Sequence, residues 1–143
     1  MPYEFLDDAP PADVGFVAWG PSLDDCFRAA ADATLATMLP HPETLARRAR
    51  RTAHVEHTDL ELALLNLLEE MVFHKDAHGL LLAADEVRVA RQGETWTVDA
   101  VFSGESIDPA RHDLANDVKA VTVHRLKVER TGDGWQATVV LDV

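Results

Sequence analysis

The chain has 143 residues, with 13 basic and 25 acidic side chains and a formal charge of −12. That length predicts one domain, able to bury roughly 68–70% of its unfolded surface without a staple. A hydrophobic fraction of 47% and a charged fraction of 27% exclude a wholly disordered chain. The acidic balance excludes a stand-alone binder of nucleic-acid phosphates and disfavours an anionic membrane surface. It is compatible with a cation, a basic partner or plain solubility. The single cysteine, Cys26, allows no intrachain disulfide and fits a reducing compartment. The start, MPYEFLDDAP, lacks the apolar core of a signal peptide, and no run approaches the ~18 apolar residues of a membrane span. The expectation is a cytoplasmic protein.

Tyr3 to Leu6 and Val14 to Trp19 read as short strands, with Asp7 to Asp13 an acidic loop between them. Ser22 has the character of an N-cap. Leu23, Cys26, Phe27, Ala30, Thr34 and Met38 then form one apolar stripe at helical spacing, and Pro40 and Pro42 end it. Arg51 to Glu56 reads as a strand. Thr58-Asp59-Leu60-Glu61 has the form of a capping box opening a second helix. That helix is apolar around most of its circumference, through Leu60, Leu62, Leu64, Leu65, Leu67, Leu68, Met71 and Phe73, which predicts deep burial. Asn66, Glu70 and His74 make its narrow polar stripe, and Gly79 is its expected C-cap.

The second half is strand-rich. Val87 and Val89 alternate with Arg88 and Ala90, and Gln92-Gly93 turns the chain into a strand with Trp96, Val98, Ala100 and Phe102 on one face. Asp108-Pro109 predicts a helical turn to His112. Val118 to Val128 reads as a long strand, Thr131-Gly132-Asp133-Gly134 as a hairpin turn, and Trp135, Ala137, Val139 and Leu141 as the inward face of the last strand. The expected class is α+β, a single compact domain with two helices packed on mostly antiparallel sheet.

Seven histidines invite a search for metal ligands. His74 and His78 stand at i, i+4, a spacing that can place two nitrogens on one ion, but Lys75 occupies the position where a zinc protease carries its glutamate. Without a third ligand they read as polar residues at a helix end. His54 and His57 point to opposite faces of a strand and read as surface residues. Cys26 lies on an apolar stripe and reads as core rather than nucleophile. No GxSxG elbow, GxGxxG loop or Walker-type GK[ST] is present. Asp13, before Gly15, and Asp142, pointing away from Leu141, could supply oxygen ligands together with the carboxylate and carbonyl of Val143. Such a set suits Ca²⁺ or Mg²⁺ rather than zinc, although spacing alone leaves two solvated aspartates as the plainer reading. Lys119, set among β-branched residues, is either functional or a lysine guarding a strand edge.

Five segments in order resemble the archease family, the small protein partners of RtcB-type RNA ligases. They are Tyr3-Glu4-Phe5-Leu6-Asp7, Ala12-Asp13-Val14-Gly15, Leu64-Leu65-Asn66-Leu67-Leu68-Glu69-Glu70, Arg111-His112 with Val118-Lys119-Ala120-Val121-Thr122, and Val140-Leu141-Asp142-Val143. The resemblance implies a compact α+β domain without catalytic residues of its own. The implied role is to help the ligase through guanylylation and turnover in tRNA splicing and RNA repair. It also implies a bound divalent cation, Ca²⁺ first, with Mg²⁺ or Mn²⁺ as alternatives. The ligands carry over to Asp13, Asp142 and Val143; Lys119 and Glu70 match further motif positions. One departure is visible. The family's short Asp-His-Thr-Ala-Asp approach is replaced by Asp7-Asp8-Ala9-Pro10-Pro11-Ala12-Asp13, which puts Asp7 or Asp8 forward as extra oxygen ligands.

The expected partner is therefore an RtcB-type RNA ligase, with no direct nucleic-acid binding and no membrane. Two other readings compete. One is a small metal-dependent hydrolase using His74, His78 and either Glu70 or Asp76. The other is a metal-free, chaperone-like binding domain, favoured if Asp13 and Asp142 stand apart.

Overall fold

The computed structural model describes residues 2–143. Strands β1 (Tyr3–Phe5) and β2 (Asp13–Gly20) precede helix α1 (Leu23–Met38). A 3-10 turn (Pro42–Thr44) leads to β3 (Ala49–His57) and helix α2 (Leu60–His78). The chain ends in β4 (Leu80–Gln92), β5 (Thr95–Ser106), β6 (Ala120–Thr131) and β7 (Gly134–Asp142). These build two sheets, ordered β1-β2-β7-β6 and β3-β5-β4, in which every pairing is antiparallel. The expected α+β class holds. Among the described residues no helix is long and apolar enough to cross a membrane.

Ser22 caps α1 as expected, its hydroxyl accepting from the Asp25 N–H at 3.1 Å. The helix is buried on far more than one stripe, because Ala29, Ala31 and Ala33 are as inaccessible as Phe27 and Ala30. Alanine side chains let it sit tightly between β2 and β7 on one side and β4 on the other. Thr34 and Thr37 tolerate this burial by donating to the Ala30 and Ala33 carbonyls, both at 2.9 Å. At the start of α2 the cap is Asp59 rather than Thr58, its carboxylate accepting from the Leu62 N–H at 3.0 Å. Glu61 does not close a capping box. It reaches across to accept from the Val128 N–H on β6 at 3.0 Å.

Two residues of α2 reverse the hydropathy expectation. Phe73 is 55% exposed, while Lys75 is only 7% exposed. Position on the helix, not residue type, decides: Lys75 shares the buried face of Leu64, Leu67, Leu68, Met71 and Val72. Gly79 is the expected C-cap, at φ 63°.

The registers explain the inward faces. Phe16 opposes Val139 and Ala18 opposes Ala137, and all four are fully buried. In the second sheet Val98, Ala100 and Phe102 face inward. The strand foreseen from Val118 begins at Ala120, so Lys119 precedes it rather than lying within it. A bulge between Thr122 and Lys127 also interrupts β6, and there Arg125 takes φ 58°. Residues 107–119 form a strap across the helix ends. Asp108 to His112 is one closed turn, with the Asp108 carbonyl accepting from the His112 N–H at 2.7 Å. Farther on, Ala115 and Asn116 N–H groups cap the free Met38 and Thr37 carbonyls of α1 at 2.9 and 3.2 Å.

Gly104, opposite Leu82 on β4, is required by close approach: a Cβ there would overlap the Leu81 carbonyl oxygen. Gly104→Ala should cost about 3 kcal/mol, since backbone rather than a flexible side chain must give way. Urea denaturation of the variant measures this directly.

Candidate functional site

The β2–β7 register places Asp13 directly opposite Asp142. Directly opposed residues leave a sheet on the same face with Cβ atoms about 4.5–5.5 Å apart. Asp13 alternates with Val14 and Phe16, and Asp142 with Leu141, so both carboxylates stand on the face turned away from the core. Both residues are half-buried. Like charges directly opposed destabilise a sheet, so this pair costs energy unless a cation lies between its members.

Backbone bonds fix the surroundings. The Val143 N–H donates to the Ala12 carbonyl at 3.1 Å, and the Lys119 N–H donates to the Asp142 carbonyl at 2.8 Å. Main-chain bonds thus bring Val143 beside Asp13 and Lys119 beside Asp142 at the end of the β2–β7 pairing. The Lys119 side chain is exposed and makes no ion pair or hydrogen bond with a described residue. Gly15 lies next in line on the same face, and Leu6 folds over it: an added Cβ would come within 3.2 Å of Leu6 Cδ1. The loop closes through the Asp13 N–H donating to the Pro10 carbonyl at 2.9 Å. Asp8 pairs through Oδ1 with Arg125 of the β6 bulge at 3.2 Å. Asp7 is exposed and unpaired among the described residues.

Glu70 stands elsewhere, on α2 in a groove facing β3, with Glu70 Oε2 3.8 Å from His74 Nε2. His74 and His78 rings are 5.6 Å apart, centre to centre, and Phe73 packs edge-on against both. Burial holds the His74 imidazole below its ordinary pKa, and its Nδ1 has no partner. Among the described residues no three His, Cys, Asp or Glu side chains converge as a metal-binding group, so the histidine pair gains no third ligand. His54 meets Asp99 at 2.6 Å on the outer face of its sheet, and that hydrogen bond raises its pKa. The His57 ring instead accepts from the Asp59 N–H at 2.9 Å at the start of α2. Cys26 is fully buried, and burial pushes its thiol up to about 12, which removes it as a nucleophile.

Two polar clusters escaped sequence reasoning. Lys75 Nζ donates to Asp117 Oδ1 and the Val118 carbonyl, both at 2.6 Å, and lies 2.7 Å from Asp76 Oδ1. All three ammonium donors find oxygens, as burial demands. Burial pulls the ammonium pKa down, but the hydrogen bonds to Asp117 and Asp76 outweigh it and the net shift is upward. This contact pins the two residues before Lys119, and through Lys119 the Asp142 carbonyl. A cavity of ≈ 200 Å³ lies between the strap and Met38 and Leu81. The only hint in the sequence was a lysine where the buried face of α2 should continue.

The second cluster is Glu105 with Arg111 and His112. Glu105 accepts from Arg111, from the Ala46 N–H at 2.6 Å and from His112 Nε2 at 3.0 Å. The Asp108 N–H donates to His112 Nδ1 at 2.9 Å, which leaves Nε2 as the protonated nitrogen facing Glu105. Arg111-His112 was visible as a motif; its acidic partner was not. These bonds, Arg111 first, hold the Glu105 carboxyl down to about 2.

A family model described as the Archease protein family matches residues 3–143. The chain belongs to the archease family. Protein archease of Pyrococcus abyssi is 35% identical over 133 residues, covering 92% of this chain and 93% of the relative. Protein archease of Methanopyrus kandleri is 34% identical over 143 residues, covering 100% of each. A solution structure from Methanobacterium thermoautotrophicum superposes with TM-score 0.84 at 26% identity, covering 99% of both chains. The crystal structure of a Thermotoga maritima archease, described as a possible chaperone, shares the fold with TM-score 0.64 at 19% identity, covering 94% of this chain and 93% of the other. The archease match spans the strands of Asp13 and Asp142 together with the strap.

Two outcomes test these clusters. A carboxylate depressed in the folded state stabilises it fully above the unfolded value and loses that contribution as pH falls. Glu105 should therefore cost stability as pH drops from about 4.5 to about 2, and Glu105→Gln should flatten that slope in acid unfolding followed by circular dichroism. Lys75→Met should cost about 2 kcal/mol, the low side for a broken buried pair because Asp117 is 71% exposed. It should also speed hydrogen exchange at the Lys119 N–H more than at Val139, as amide-resolved exchange would show.

Proposed function

We propose that this archease-family chain is a non-catalytic accessory protein of an RtcB-type RNA ligase. In this reading it promotes the ligase's guanylylation and multiple turnover in tRNA splicing and RNA repair. It holds a divalent cation, Ca²⁺ by preference, on Asp13, Asp142 and the main-chain oxygens of Val143. The supporting observation is the Asp13–Asp142 register pair, beside Val143 and Lys119, in a chain of this family. The donors are all hard oxygens, they share one face, and their mutual repulsion is relieved by a cation. They therefore fit Ca²⁺, Mg²⁺ or Mn²⁺ better than zinc.

Each residue then has a task. Asp13 and Asp142 hold the ion at the surface, where its charge is available to a partner's nucleotide. Lys119, exposed and uncommitted, is the basic contact beside them. A surplus of acid, −12 over the chain, favours docking on a basic RNA-binding enzyme and keeps this protein off the RNA. The hydrolase reading finds no third ligand for His74 and His78 among the described residues. The chaperone-like alternative agrees with the description of the Thermotoga maritima relative, and the opposed positions of Asp13 and Asp142 favour a cation over its metal-free form.

In multiple-turnover ligation by an RtcB-type ligase, the full chain should raise turnover well above the ligase alone. Asp13→Asn and Asp142→Asn should each weaken Ca²⁺ binding in calorimetry at least about tenfold, or about 1.4 kcal/mol. Both should lose the stimulation while their cation-free melting stays within about 0.5 kcal/mol of the parent. Unchanged turnover on adding the chain overturns the accessory role; unchanged calorimetry of both variants overturns the cation site.

A further inference from the structure

Open sheet edges expose rows of unpaired N–H and C=O groups, and stable proteins blunt them. Three of the four edges here are blunted. Edge strand β1 has only three residues. Strand β6 is bulged, and Glu69 and Glu61 of α2 accept its Val121 and Val128 N–H groups at 2.9 and 3.0 Å. Strand β4 is bulged between Ala84 and Glu86, and its Val89 N–H is taken by Asp24 at 2.7 Å.

Strand β3 has none of these devices. Its nine residues pair with β5 without interruption, and it contains neither proline nor bulge. No N–H of residues 49–57 donates beyond β5 to a described residue, and one carbonyl, that of Arg50, accepts from the Arg51 guanidinium at 2.8 Å. Only Val55 of the strand is buried. Alongside runs a groove of ≈ 520 Å³, between His54, Val55 and Glu56 on β3 and Asn66, Glu69, Glu70 and Phe73 on α2.

The groove is chemically one-sided. Glu56 and Glu70 form no ion pair with a lysine or arginine among the described residues, and Phe73 shows 55% of its surface. The His54 ring is engaged by Asp99. The strand's arginines, Arg50 and Arg51, precede the groove, and the Arg51 charge reaches His74 beside Glu70, so a basic occupant is directed to the half around His54 to His57.

We propose that β3 is a docking edge for an extended, basic segment of a partner protein. The segment adds as a fourth strand beside β3, with its main chain satisfying the open edge. An Arg or Lys side chain enters the groove on the α2 side, where Glu70 pairs with its charge and the Phe73 ring offers a cation–π surface; Glu56, on the outer face beside His54, adds to the acidic field at this edge. This interface is separate from Asp13 and Asp142 and does not rest on the cation reading.

The test uses the full chain, isotope-labelled, titrated with three acetylated octapeptides: alternating Arg-Val, Arg-Pro of equal charge, and Glu-Val. The Arg-Val peptide should bind saturably, shifting and protecting amides of residues 49–57 and 66–73. Arg-Pro, which cannot form strand hydrogen bonds, and Glu-Val should each bind at least about tenfold more weakly. The double variant Glu56→Gln, Glu70→Gln should weaken Arg-Val binding about tenfold with an unchanged melting profile, and Phe73→Ala several-fold. Equal binding of Arg-Pro would reduce the effect to bulk charge and overturn the proposal. So would no binding, shifts centred elsewhere, full affinity in the double variant, or a concentration-dependent dimer of the chain alone that occupies β3.

Discussion

The pairing of β2 with β7 is the constraint on which the rest of the molecule depends. Its eight register positions run from Asp13–Asp142 to Gly20–Trp135 without a break. Side chains alternate at every step, so a slip by one residue would send Phe16, Ala18, Val139 and Leu141 to solvent. The same slip would separate the two aspartates. Core and candidate site are thus two faces of one register: fully buried apolar residues enforce the alignment that brings two carboxylates together at a cost. The arrangement of α1 follows from it, because an alanine-lined helix can lie close to the β2–β7 backbones on one side and to β4 on the other.

Strap 107–119 is the second element that sets the site, and between Ile107 and the buried Val118 it is held by polar contacts. Glu105, Arg111 and His112 fix its beginning, the α1 carbonyls its middle, and Lys75 its end. This polar anchoring suits a segment with little side chain to bury: residues 113–117 are all exposed. The Lys75 ammonium is worth its desolvation only because every proton finds an oxygen. Its geometry reaches the site through the main chain, by way of the Val118 carbonyl and the Lys119 N–H.

Much of this was legible in the sequence, because period and caps are local signals. Ser22, Gly79 and the Gly132-Asp133 turn were read from residue chemistry alone, and the outward placement of Asp142 from simple alternation. What was not legible depended on long-range geometry. Thr58 lost the cap to Asp59 because Glu61 was drawn to β6. Phe73 and Lys75 exchanged their expected places because hydropathy around α2 was too even to show which side faced the core. Glu105 could not be joined to Arg111-His112 without knowing that β5 ends beside the strap. That Asp13 meets Asp142 came from the family resemblance and not from spacing. Their register supplies the physical reason for the resemblance to extend to both ends of the chain. The Asp8–Arg125 pair was invisible for a further reason: a bulge and a left-handed arginine, neither of which leaves a pattern in β6, create it.

The β2–β7 ladder also has a kinetic meaning. It joins residue 13 to residue 142, nearly the longest loop this chain can close, and such contacts form late because chain entropy opposes them until the intervening elements have condensed. Asp13 and Asp142 therefore become neighbours only as the β1-β2-β7-β6 sheet closes and the two ends of the chain join. No fragment lacking either end can present the pair. A ligand held there draws on the global folding equilibrium, so it protects the whole domain rather than a local patch. The pair is thus a mark of completed folding, present in finished molecules and missing from partly folded ones.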